Sequence, residues 1–221
     1  MSQSETWRPL FVGLTGAMVQ QTAVTARQLT SPAAQSLAEL AAVLDDLQFV
    51  LGCSERLLQE LARGDERDIV VVEALWAAAL NAYARCFRPG ENKPGLTVDD
   101  LTETGLQGDV VPWHEMLGKL RHFFVTETAN PREEFSAGVS LSPEGAATGI
   151  VVTSAPRPQV DEATVRQTGQ LAFELGQLVD GRMRDAQKVV FAEVADMPAA
   201  RLNRLTPLAV DLSAAAGPGV G

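Results

Sequence analysis

The sequence predicts a mainly α-helical fold of four to five helices, with a β-hairpin set before the last long helix. Three observations predict it. Leucines recur at three- and four-residue intervals through Leu37, Leu40, Leu44, Leu47, Leu51, Leu58 and Leu61, interrupted only by Ser54, the spacing of one helix face. A second series with helical spacing runs through Ile69, Val72, Trp76, Leu80, Tyr83 and Phe87. The period then drops to two at Phe135, Ala137, Val139 and Leu141, with Ser136, Gly138 and Ser140 between them, as in a strand.

Residues 1–30 read as an N-terminal arm, with only Leu10, Leu14 and Met18 marking a short apolar face. The helical domain spans 31–205. Ser31-Pro32 opens the first helix, since serine caps the free amides and proline fits the first turn. Gly64 ends it. The leucine seam suits packing inside a bundle, with a dimer interface as the other reading. The second helix runs from about Asp68 to Phe87 and stops at Pro89-Gly90. Thr97 and Asp100 form a capping box for a very short helix, and Gly105 and Gly108 break the chain after it. A third helix begins near Asp109, carries Trp113, Met116, Leu117, Leu120 and Phe124, and ends before Asn130-Pro131. The hairpin falls at about 134–154. Asp161 caps a last long helix marked by Leu171, Leu175, Leu178, Ala186 and Val189 and reaching Val194. A short Ala-rich turn carries Arg201 to Leu205, and 206–221, rich in Ala, Gly and Pro, reads as a disordered tail.

Composition narrows the function classes. With 221 residues and 46% hydrophobic content the chain can bury a core. A net charge of −10 opposes phosphate backbones, so RNA binding is disfavoured without a local basic site. Cys53 and Cys86 lie in separate helical segments without metal-ligand spacing and read as buried thiols. Leu10–Val19 approaches the length of a signal-peptide core, yet Gly13, Thr15 and Gly16 interrupt it and no A-x-A site follows. No run approaches the roughly 20 apolar residues of a membrane span. The expectation is a cytoplasmic protein that does not use a membrane.

Phosphate loops of the G-x-x-x-x-G-K-[ST] and G-x-G-x-x-G types are absent, as is a G-x-S-x-G elbow. Two histidines, His114 and His122, do not make a His-rich metal site, and no cofactor is expected. Candidate chemistry concentrates on the third helix and its exit: Trp113-His114-Glu115, Arg121-His122, Thr126-Glu127, Asn130-Pro131 and Glu133-Glu134.

Together with Leu75, Trp76, Ala79, Tyr83, Arg85, Cys86 and Phe87 in the second helix, this stretch resembles the HEPN superfamily, in its bacterial branch related to abortive-infection proteins. The resemblance covers about residues 65–195. It implies a HEPN-like helical homodimer in phage defence or toxin–antitoxin biology. In active members, Arg and His from an Arg-(four to six residues)-His motif in each of two chains form a metal-independent RNase site. Arg stabilises charge on the phosphate and His moves protons. Arg121 matches the motif Arg, and the motif His falls on Glu127. An ordinary Glu has a pKa of about 4.3, so at neutral pH it has no proton to donate and repels phosphate.

His122 points away from the apolar stripe and reads as solvated. His114 lies two turns before Arg121 on the same flank, about 10 Å away along the axis. The pair offers either a relocated site or ordinary boundary hydrogen bonds. Arg85 either lines an anion site or pairs with a carboxylate such as Glu73 or Asp99. Tyr83 and Trp76 suit the core better than a base-stacking platform, Asn130 is a further binding candidate, and Glu133-Glu134 reads as a solvated turn.

The sequence thus leads to a catalytically degenerate HEPN-like dimer that binds a protein or a ligand. The alternatives are an active RNase using Arg121 with His114 or Glu127, and an unrelated helical scaffold assembled through the leucine seam.

Overall fold

The computed structural model describes residues 25–87, 95–126, 130, 132–157 and 159–209. Its elements, in chain order, are β1 (Ala26–Arg27), α1 (Pro32–Leu61), α2 (Ile69–Cys86), α3 (Val98–Glu103), α4 (Val110–Val125), β2 (Glu133–Leu141), β3 (Ala147–Pro156), α5 (Glu162–Ala195), α6 (Ala199–Leu202) and β4 (Pro207–Leu208). The fold is mainly α-helical, with the hairpin β2–β3 before the last long helix.

The chain divides into two compact units. One comprises Met1–Ala41 with Gly181–Gly221, the other Ala42–Asp180. In the first, β1 and β4 form a two-residue antiparallel pairing, Ala26 opposite Leu208 and Arg27 opposite Pro207. Both strands come from segments that the sequence leaves as arm and tail. Ser31 performs its expected capping, accepting the Ala34 amide at 3.2 Å, while its hydroxyl donates to Glu193 at 2.6 Å. Leu40, Met183 and Val190 are buried there.

The second unit holds the rest of the core, centred on α2. Val72, Trp76, Ala79, Leu80, Ala82, Tyr83 and Cys86 are all buried. The large side chains each contribute about 1.5–3 kcal/mol by leaving water. By length and hydropathy α2 also resembles a membrane span, as a core helix does. The N-terminus of α2 is capped twice over. Asp68 accepts the amides of Val70 and Val71 at 2.9 and 3.3 Å. Glu60, in the last turn of α1, accepts the amide of Asp68 itself at 2.7 Å and the Arg63 guanidinium at 3.0 Å. Gly64, at φ +61°, makes the reversal between the helices. The expected capping box of α3 is present, Asp100 accepting the Thr97 amide at 2.6 Å.

The leucine seam of α1 is used inside its own chain. Its buried positions are Leu40, Leu44, Leu47, Val50, Cys53 and Leu57. They shift by one residue from the expected Leu51 and Leu58, which are half-buried. The covering element is α5, antiparallel to α1. Gly169 sits where an added Cβ would lie 3.4 Å from Ser54 Cβ, and at Gly176 it would lie 3.8 Å from Leu44. These two glycines, two turns apart, bring the helices close. The buried face of α5 also differs from the expectation. Val179 and Val190 are buried, while Leu178 is half-buried and Val189 exposed.

Two stability outcomes follow. Gly169→Ala, adding a methyl at ordinary contact distance in a helix interior, is expected to be neutral or stabilising by up to about 1 kcal/mol. Gly169→Leu is expected to lose about 1–3 kcal/mol by overpacking. Denaturant titrations check both. The hydrogen bonds to Glu60 hold its carboxyl below the usual range. Its stabilising contribution is therefore complete above the unfolded-state value and lost as pH falls through the depressed one. Thermal melts should show the acid limb, below about pH 4–5, flatter in Glu60→Gln than in the parent chain.

Candidate functional site

Helices α2 and α4 run antiparallel, and α4 turns His114 and Arg121 toward α2. The Tyr83 hydroxyl lies 2.9 Å from His114 Nδ1. Arg121 Nε donates to Asn81 Oδ1 at 3.0 Å, and the Asn81 amide donates to Ala77 O at 2.9 Å. Both members of the candidate pair are therefore engaged by α2, as ordinary boundary hydrogen bonds.

The surroundings of His114 are aromatic. The Phe87 ring centre lies 4.3 Å and the Tyr83 ring centre 5.7 Å from the imidazole. Burial lowers the His114 pKa, with a smaller opposing effect from Glu115. Burial raises the Tyr83 pKa far above its usual value, with a smaller push from Cys86. The phenol therefore keeps its proton, and its hydroxyl is hydrogen-bonded to Nδ1 of an imidazole whose neutral form burial favours. Such a group is a poor acid at neutral pH. Burial likewise pushes the Cys86 thiol up to about 12 and raises that of Cys53, so neither offers a thiolate.

The other candidates separate. Arg85 makes a two-pronged pair with Asp46 of α1, in place of the expected Glu73 or Asp99. Glu73 lies more than three turns earlier on the same helix and pairs with Arg132 at 3.2 Å. Asn130 accepts the amides of Arg132 and Glu133 at 2.8 and 3.3 Å, a turn closed by its own side chain. His122 is exposed, as expected. Glu127 lies outside the described residues. Glu133 and Glu134 open strand β2, correcting the reading of a solvated turn.

Sequence reasoning missed a cleft of about 470 Å³. Ile69, Val72 and Trp76 of α2 and Leu120, Phe123 and Phe124 of α4 form its apolar walls, and Arg132, Glu133, Pro156 and Arg157 form its mouth. It exists because α4 buries only Leu117 fully, leaving Leu120, Phe123 and Phe124 half-covered. The two arginines bracket the hairpin, joined by a backbone bond from Arg157 N to Arg132 O at 2.8 Å. The Arg157 guanidinium stacks over Phe123 at 5.0 Å and donates to Asn130 O at 3.0 Å. Its volume and apolar walls are those of a small-molecule or peptide pocket. The symmetric placement of Arg132 and Arg157 around the hairpin was the available sequence signal. Among the described residues no three His, Cys, Asp or Glu side chains converge as metal ligands.

Comparison with protein-family models, with curated proteins and with solved structures finds no match for the chain.

Tyr83→Phe removes the hydroxyl bonded to His114 and leaves the burial of the ring in place. An NMR titration should keep the His114 pKa of this variant below the ordinary value of about 6.5, because burial is what lowers it. The parent contribution is present above that ordinary value and lost as pH falls through the lowered one. At neutral pH the variant should lose about 1 kcal/mol of stability.

Proposed function

We propose that this chain is a HEPN-like helical protein that has lost phosphodiester chemistry and works by binding, as a homodimer. The observation that carries the reading is the engagement of His114 by Tyr83 and of Arg121 by Asn81. A metal-independent RNase needs one group to shuttle protons and a guanidinium to meet the phosphate. The only described imidazole near Arg121 on its inner flank has its Nδ1 occupied and its protonated form disfavoured by burial. The carboxylate at position 127 adds a charge that opposes an anion. A net charge of −10 supports the same reading.

Binding then falls to the cleft between α2 and α4, where aromatic walls meet two guanidinium groups at the mouth. The family resemblance suggests phage defence or toxin–antitoxin biology as the setting. The scaffold alternative is weakened because the leucine seam of α1 is spent on its own chain.

The RNase alternative retains one point in its favour, the shared flank of His114 and Arg121. Purified protein incubated with RNA at neutral pH without metal separates the readings. The expected result is no cleavage above background, identical for the parent chain and Arg121→Ala. Cleavage by the parent that disappears in Arg121→Ala would establish the nuclease and sink the proposal.

A further inference from the structure

The hairpin β2–β3 carries an apolar face that the described residues leave uncovered. The register pairs Phe135 with Ser154, Ala137 with Val152 and Val139 with Ile150. Residues directly opposite each other share a face, so Phe135, Val139, Leu141, Ile150 and Val152 all lie on one side. Their exposures are 59, 51, 60, 79 and 68%. The opposite side carries Ser136, Gly138, Ser140 and Thr153, with Val151 its one large apolar residue, 37% exposed. Its hydroxyls bond within the hairpin, Ser140 to Thr148 at 3.0 Å and Thr153 to the Ser136 carbonyl at 3.4 Å. An isolated two-stranded hairpin is marginal in water and needs its apolar face covered.

We propose that this face is the surface on which a second copy of the chain docks, face to face about a two-fold axis. Three observations favour a copy over other occupants. The first is charge. From Phe135 to Pro156 the only charged residue is Glu144, in the turn, where it accepts from Ser142. Two molecules that each carry −10 can meet here with one carboxylate per copy on the same side, that of Glu133 at the foot of the hairpin. A lipid surface is disfavoured, because the same stretch contains no Lys or Arg to meet anionic headgroups. The second is area. Five large apolar side chains present about 300–600 Å² at roughly 60–120 Å² each. Two stacked faces therefore remove about twice that, and the adjoining Ala137, Ser154 and strand edges bring the total near the 1,000 Å² lower range of specific interfaces.

The third is continuity. Glu133 and Pro156 pair with each other on the same side as Phe135, and both line the mouth of the α2–α4 cleft. The apolar face thus leads into the cleft, which adds surface for the tip of the partner's hairpin. This inference gives a location to the dimer of the proposed function and rests on none of its catalytic content, so the RNA assay and the test below fail independently.

The test is mass by light scattering at micromolar concentration on the full chain. The parent should be a dimer. Ile150→Glu should be a monomer, its dissociation constant weakened at least about 100-fold by placing an unpaired carboxylate in each half of the interface. Thr153→Glu, on the opposite face, should stay dimeric. Circular dichroism and melting of all three chains establish that they fold alike. A second measurement is independent of charge. Cys53 and Cys86 are buried, so a thiol introduced by Ile150→Cys is the one open to a short bis-maleimide. Ile150→Cys should yield a covalent dimer, and Thr153→Cys should not. A monomeric parent, a dimeric Ile150→Glu, or equal cross-linking from both positions overturns the proposal.

Discussion

The burial of one broad face of α2 is the constraint from which the larger unit follows. That face is wider than a stripe of large residues, because Ala79, Ala82 and Cys86 are as buried as Trp76, Leu80 and Tyr83. Small side chains let neighbours approach closely on one flank while the bulky ones fill the other. The helix is tied at its start by Glu60 accepting the Asp68 amide. At its end the Leu96 amide bonds the Cys86 carbonyl at 2.8 Å, with Leu96 itself buried. Once both ends are set, the polar side chains of α2 that face α4 have fixed positions.

Those positions decide the chemistry that α4 can offer. Asn81 and Tyr83 are two residues apart, so they leave α2 on different sides of its axis and meet Arg121 and His114 separately. The same packing that desolvates His114 supplies its hydrogen-bond partner. A buried imidazole without such a partner would be costly. A phenol that keeps its proton resolves that cost by bonding to the ring. The arrangement stabilises the α2–α4 boundary and reduces the capacity of this histidine to act as an acid.

The apolar surface that α2 and α4 leave uncovered lies further along the pair, toward the hairpin. Arg132 and Arg157 stand at the two feet of that hairpin, each held from a different side: Arg132 by Glu73, Arg157 by Phe123 and the Asn130 carbonyl. Exposed pairs of this kind add little stability. Their effect is positional, since they set the strands over the cleft mouth and bring the apolar side of the hairpin into line with the cleft walls.

The sequence by itself determined the helices and the hairpin, but not the β1–β4 pairing. Helix periodicity, the Ser31, Asp68, Thr97 and Asp161 caps, the glycines at 64 and 105, and the switch to period two at Phe135 are local signals, and each is set by interactions within a few residues. Tertiary structure decided which residues along each helix face inward. A shift of one position, Val50 for Leu51 or Val179 for Leu178, depends on how closely α1 and α5 approach. Gly169 and Gly176 set that distance, and a single-helix pattern does not contain it. The same holds for the site. His114 and Arg121 are visible as a pair two turns apart, but their partners come from another helix. Asp46 as the partner of Arg85 and the cleft bracketed by Arg132 and Arg157 likewise join segments distant in the chain. Charges and apolar side chains find such partners only after packing has fixed which surfaces meet, because the energy of each contact depends on distances that no local spacing specifies.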